Sequence, residues 1–195
     1  MPKRKDRRVR RTQQLLEAAL LSLIKEKDFD SVSVQEIIDR ANVGRATFYA
    51  HYDNKEDLLA SGFQGLQESL KERQREALSH TRTVDERLFA FSYHLLAHAN
   101  EQRDIFPAIV SQRGGAVIQH LLRQILVNVI REDVKIMAAP TGAAKVPSEI
   151  TVQFLAGGLF GLLMWWMGSN MRLSVEDVNG IFRRLAIPAV KAAYS

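Results

Sequence analysis

Apolar residues recur at helical spacing along almost the whole chain, and no stretch shows the two-residue alternation of a half-buried strand. Leu16, Ala19, Leu20, Leu23 and Ile24 predict a helix over Thr12 to Lys27. Val34, Ile37, Ile38 and Ala41 predict a second, opened by Ser33 with Glu36 as a capping box. A third is expected over about Arg45 to Tyr52. Asn54 can cap a long helix running from Lys55 to about Ser79, with Leu58, Leu59, Phe63, Leu66 and Leu70 on one stripe. Thr83 with Glu86 opens a helix through about Asn100, with Leu88, Phe91, Leu95 and His98 periodic. Asp104 to Ser111 reads as a short helix, and Gly114-Gly115 punctuates it. Val117 to Met137 is an apolar helix, Ala139 to Pro147 a loop, and Ser148 to about Asn170 the most hydrophobic helix. Ser174 with Asp177 caps the last helix, which carries Val178, Ile181, Phe182, Leu185 and Ala189. The expectation is an all-α protein of about nine helices.

The second and third helices are joined by a tight turn holding Asn42 and Gly44, residue types that tolerate turn geometry. The third hides Phe48 while Arg45, Thr47, Tyr49 and His51 can face outward. This is a helix-turn-helix pattern, in which a small core supports an outward helix of hydrogen-bonding side chains suited to a DNA groove. Phe48 and Tyr52 read as core. Charge adds to the picture by its distribution. The net charge is only +5, but Lys3, Arg4, Lys5, Arg7, Arg8, Arg10 and Arg11 crowd the first eleven residues against a lone Asp6. Residues 1–11 are expected to form a disordered basic tail attracted to polyphosphate, leading into a helix-turn-helix domain over 12–54. The segment after the tail is amphipathic and contains Glu17, Lys25 and Glu26, so the tail does not read as the start of a signal peptide. The chain has no Cys, which excludes disulfides and thiolate metal sites and is compatible with a cytoplasmic setting.

Phe29, Ser33-Val34, Ile37-Ile38, Ala41, Val43-Gly44, Thr47-Phe48-Tyr49, His51-Tyr52 and Asn54-Lys55 resemble the N-terminal domain of TetR-family transcriptional regulators over about residues 12 to 60. Asp28, Ile38 and Gly44 depart from residues frequent in that family, and Gly44 brings no side-chain acceptor to its helix start. Arg45, in the first turn of the recognition helix, is placed to reach base edges, with guanine as its target. The resemblance implies that Ala46 also faces the groove and that Thr47, Tyr49 and His51 contact phosphate, work suited to hydroxyl and imidazole groups. Gln35 can touch a base or a phosphate. Lys55 brings charge and a helix start to the backbone grip. One such unit contacts few bases, so a homodimer on a near-palindromic double-stranded operator is expected.

Residues 55–195 read as a helical domain for dimerisation and effector binding. Ile150 to Met171 has no charged side chain. It can be a membrane span, a helix buried in a core, or a helix shared between a core and a dimer seam. Interrupting glycines, polar residues and the lack of a second span speak against the membrane. Gly157, Gly158 and Gly161 lie to one side with Phe154 and Trp165, and the last helix adds Val178, Phe182 and Leu185 as a further dimer face. The resemblance implies dimerisation through the last long helices. It also implies a small effector in the rear domain, whose binding moves the fourth helix and spoils the spacing of the recognition helices. Phe63, Phe91, His94, Phe106, Phe160, Met164, Trp165 and Met167 offer aromatic and thioether surface for a flat hydrophobic effector, and each also suits plain core packing. Regulation without any small effector stands as the alternative expectation.

Other chemistry finds little support. His94 and His98 stand four apart and His120 could join them, but no acidic cluster or Cys accompanies them, so no metal or cofactor is expected. No phosphate loop, nucleophile elbow or His-Glu-x-x-His run is present, and Glu132-Asp133 reads as a pair of solvated charges rather than catalytic carboxylates. An enzyme is therefore not expected. An architectural DNA binder without operator preference is permitted by the basic tail, but the oriented recognition helix argues for sequence-specific regulation, most often repression.

Overall fold

The computed structural model describes residues 4–80, 83–105, 115–141 and 145–194. Among them are helices and turns and no strand, as one persistent helical period requires. α1 is Arg4–Glu26, followed by a 3-10 turn at Phe29–Ser31, α2 at Val34–Ala41, α3 at Arg45–Tyr49 and α4 at Lys55–His80. Then come α5 at Val84–Arg87, α6 at Phe91–Glu101, a 3-10 turn at Arg103–Ile105, α7 at Gly115–Thr141, α8 at Ser148–Gly168 and α9 at Val175–Tyr194. Most of the short helix expected over 104–111, and part of the loop expected over 139–147, lie outside the described residues.

Two compact units divide the chain, 1–65 with 104–121 at the front and 66–103 with 122–195 at the rear. The expected boundary before Lys55 is therefore corrected. The front unit keeps the first turns of α4 because Leu58 and Leu59 complete its core, and it gains Ile105 and Ile118 from later in the chain. The first helix also starts earlier than expected. Arg4 onward is helical, so the described part of the basic tail is a helical extension of α1, with Arg7, Arg8, Arg10 and Arg11 exposed. Arg and Lys are good helix formers, and adding turns to an existing helix avoids a new nucleation step.

The front core joins Leu16, Leu20, Leu23 and Ile24 of α1 to Phe29, Ile37, Ile38 and Phe48. Ionic ties fasten α2 to α1. Lys27 Nζ meets Glu36 at 2.6 Å, and Arg40 forms a two-pronged pair with Glu26 at 2.7 and 2.9 Å while also reaching Ser22 Oγ at 2.6 Å. The Lys27 bond, with the Ser33 amide and hydroxyl, holds the Glu36 carboxyl well below its usual range, at about 2.

In the rear unit α9 packs on α6 and α8. The single helix expected from Thr83 to about Asn100 is instead two, broken at Phe89, whose φ is 58°. A buried phenylalanine in the left-handed region needs outside support. The Phe89 N–H donates to Asp133 Oδ2 at 2.9 Å, the Ser92 hydroxyl lies 2.6 Å from the Phe89 carbonyl, and Arg183 donates to the carbonyls of Leu88 and Asp85. Asp133 is only 1% exposed, which overturns its reading as a solvated charge. Burial pushes its carboxyl up to about 7, against the pull of the Phe89 and Gln74 hydrogen bonds and the nearby Arg183 charge.

Candidate nucleic-acid interface

Local chemistry sets the two helices of the motif. Ser33 caps α2 through a complete capping box, its Oγ accepting from the Glu36 N–H at 3.3 Å while Glu36 accepts from the Ser33 N–H at 2.9 Å. Asn42 ends α2 in the left-handed region at φ 51°, a conformation that asparagine tolerates better than most residues. The Val43 N–H then returns to the Ile38 carbonyl at 3.1 Å, closing the turn. Gly44 has φ −68°, so the turn does not depend on glycine's freedom there. As expected, no side chain caps α3.

Phe48, fully buried, pins α3 to the core, and Tyr52 is 6% exposed, so both are core residues. Around the same short helix Arg45, Ala46, Thr47 and Tyr49 are exposed, with Gln35 exposed on α2 and His51 half-buried. The Arg45 guanidinium stands 5.8 Å from the centre of the Tyr49 ring, four residues on, which limits its freedom without occupying its donors. Gln35 donates to Asp39 Oδ1 at 2.8 Å. α3 ends at Tyr49, three residues before its expected end, and the chain continues as a turn through His51. Burial of the Tyr52 ring and the Asn54 cap on α4, whose Oδ1 accepts from the Asp57 N–H at 2.8 Å, redirect the backbone. Lys55 departs from expectation. Its ammonium points inward and donates to the carbonyls of Phe29, Asp30 and Val32 at 2.8, 2.9 and 2.8 Å.

Residues 15–61 match the family described as bacterial regulatory proteins of the tetR family, and residues 86–187 match a transcriptional regulator C-terminal region. This chain belongs to the TetR family of transcriptional regulators. The fold agrees. A protein of Syntrophomonas wolfei assigned to that family superposes with a TM-score of 0.76 at 17% identity, covering 92% of this chain and 95% of that one. The FadR regulator of Bacillus subtilis, solved with stearoyl-CoA, superposes at 0.69 with 18% identity, covering 90% and 98%. In sequence, this TetR-family regulator is 22% identical over 162 residues to YxbF, an uncharacterised HTH-type transcriptional regulator of B. subtilis. The match takes in 83% of this chain and 41% of YxbF, so the chain spans less than half of that relative's length.

The rear-domain expectations divide. Phe154, Trp165 and Leu185 are 69, 57 and 70% exposed, and Gly158 and Gly161 are exposed beside half-buried Gly157, leaving an apolar face on α8. Val178 and Phe182, named with them as a dimer face, are instead core. The Phe182 ring packs edge-on against Phe89 at 5.2 Å, because the apolar stripe of α9 serves its own unit. The residues named for an effector differ in exposure. Phe63 packs against the front core, Phe91 and Met167 are buried, and Trp165 faces outward. Phe160 is buried under the Arg123 guanidinium at 4.3 Å, Met164 is half-buried, and Phe106 lies outside the described residues. His94 is 2.9 Å from Ser69 Oγ, and burial holds the His98 imidazole below its usual range. α8 is long and apolar enough to cross a bilayer by length and composition, and half of its most apolar window is buried within the protein.

Proposed function

We propose that the chain is a cytoplasmic repressor that binds a near-palindromic operator as a homodimer, with Arg45 and Ala46 reading base edges and Gln35, Thr47, Tyr49 and His51 contacting phosphate or bases. The observation that carries this reading is the division of α3, one face committed to the core through Phe48 and the other exposing Arg45, Ala46, Thr47 and Tyr49. That is the surface a major groove requires. The exposed face of Phe154, the glycines and Trp165 supports the dimer, since small residues let a second backbone approach and the two large rings supply area. Exposed Arg7, Arg8, Arg10 and Arg11 add charge that suits neighbouring phosphates. The test is selection of bound duplexes from a random pool. The expected result is a twofold-symmetric site with half-sites about one helical turn apart. Recovery of unrelated sequences would contradict the reading.

Release by a small hydrophobic effector is the reading that the family resemblance supports, and the Bacillus subtilis FadR, similar in fold, was solved with stearoyl-CoA. A second reading, regulation without a small effector, is favoured by the burial of Phe91, Phe160 and Met167 as core and the outward exposure of Trp165. Isothermal titration with acyl-CoA thioesters separates the two.

A further inference from the structure

We propose that Lys55 is a positioning residue, not a phosphate contact. It closes the helix-turn-helix on itself and so fixes where α3 stands. The proposal rests on the DNA-reading function for its consequence but not for its structural content.

An ammonium group has three N–H donors. At Lys55 all three are used, on the carbonyls of Phe29 at 2.8 Å, Asp30 at 2.9 Å and Val32 at 2.8 Å. The charge also lies 4.7 Å from the centre of the Phe29 ring. To reach a phosphate, the side chain would have to abandon three charge-assisted hydrogen bonds. The positions of the partners give the arrangement its meaning. Phe29, Asp30 and Val32 lead into α2, whereas Lys55 opens α4 just after α3. Residues 33–54, which contain α2, the turn and α3, lie between the two ends that Lys55 joins. The ties of Lys27 to Glu36 and of Arg40 to Glu26 fasten α2 to α1. Lys55 fastens the other side, beyond α3. With both sides held, the exposed residues of α3 are presented in one orientation rather than in several.

Lys55→Met keeps an unbranched side chain and removes the ammonium. Lys55→Arg keeps the charge, but its planar fork cannot converge on three carbonyls from one nitrogen. Three readouts follow. In the free protein, amide exchange at Ser31 and Val32, the donors of the 3-10 turn, should speed by about tenfold in both variants. On the wild type's selected operator, affinity should fall by about tenfold in Lys55→Met and discrimination against random duplex should narrow. The slope of log affinity against log salt should match wild type, because no phosphate contact is lost. The proposal is overturned if Ser31 and Val32 exchange at the wild-type rate. It is also overturned if Lys55→Met makes the salt slope shallower by about 0.9 per subunit and weakens all duplexes equally, with Lys55→Arg restoring both. If the wild type itself ignores DNA, the functional reading fails, and the exchange data still decide the clasp.

Discussion

The front and rear units hold their polar groups in opposite ways. At the front, the groups that shape the motif sit at or near the surface. Several come from close neighbours, as Ser33 with Glu36 and Asn54 with Asp57 do, and ionic pairs at the helix ends add to them. At the rear, the break at Phe89 depends on a nearly fully buried Asp133, 44 residues away, and on Arg183, 95 residues from the Leu88 carbonyl it caps. Surface caps can be exchanged at modest cost, whereas a buried carboxylate cannot be removed without stranding its donors. The front unit is therefore expected to tolerate single losses, and the rear unit to be brittle at one point.

The largest expected effect tests that brittleness. Asp133→Ala leaves the buried Phe89 N–H without its acceptor and should cost about 2–4 kcal/mol in urea unfolding. Ser33→Ala, which removes a cap at the front, should cost about 1 kcal/mol. Equal costs would erase the contrast.

Acid and base should separate the units as well. Glu36, depressed to about 2 when folded, stabilises the native state above its ordinary value of 4.5, and that contribution is lost as pH falls from there through 2. Asp133 has the opposite sign. Its folded value of about 7 stands above its ordinary 3.8, so unfolding becomes easier as pH rises from 3.8 through 7. Urea midpoints of wild type minus those of Asp133→Asn should decline across that interval, and a flat difference would refute the assignment. The smallest effect concerns α3. A Cβ on Gly44 would meet Thr47 Oγ1 at 3.7 Å, an ordinary contact, so Gly44→Ser should add a cap and raise stability by about 0.3–0.5 kcal/mol in the same assay.

The same contrast explains what could be read from the sequence. The caps at Ser33, Asn54, Thr83 and Ser174 are written within three or four residues and were legible, as was the buried face of α3. The break at Phe89 was not, because helical periodicity runs straight through it and its partners lie far along the chain. Lys55 looks like a surface charge until the three carbonyls are brought to it from 23 to 26 residues upstream. The stripe of α9 shows that Val178 and Phe182 need cover, but an apolar pattern does not say whether its own unit or a second copy provides it. The density of Arg and Lys before Thr12 suggested disorder through like-charge repulsion, and helix propensity prevailed.

The central claim is that the exposed face of α3 reads DNA in two symmetry-related copies. Its most direct test is to replace each base pair of the selected operator in turn and to measure binding of the wild type and of Arg45→Ala. The account predicts that Arg45→Ala loses about 1–3 kcal/mol of discrimination at one base pair per half-site, the two positions being related by the operator's twofold axis. Uniform weakening at every position, or no symmetric pair of altered positions, would contradict it.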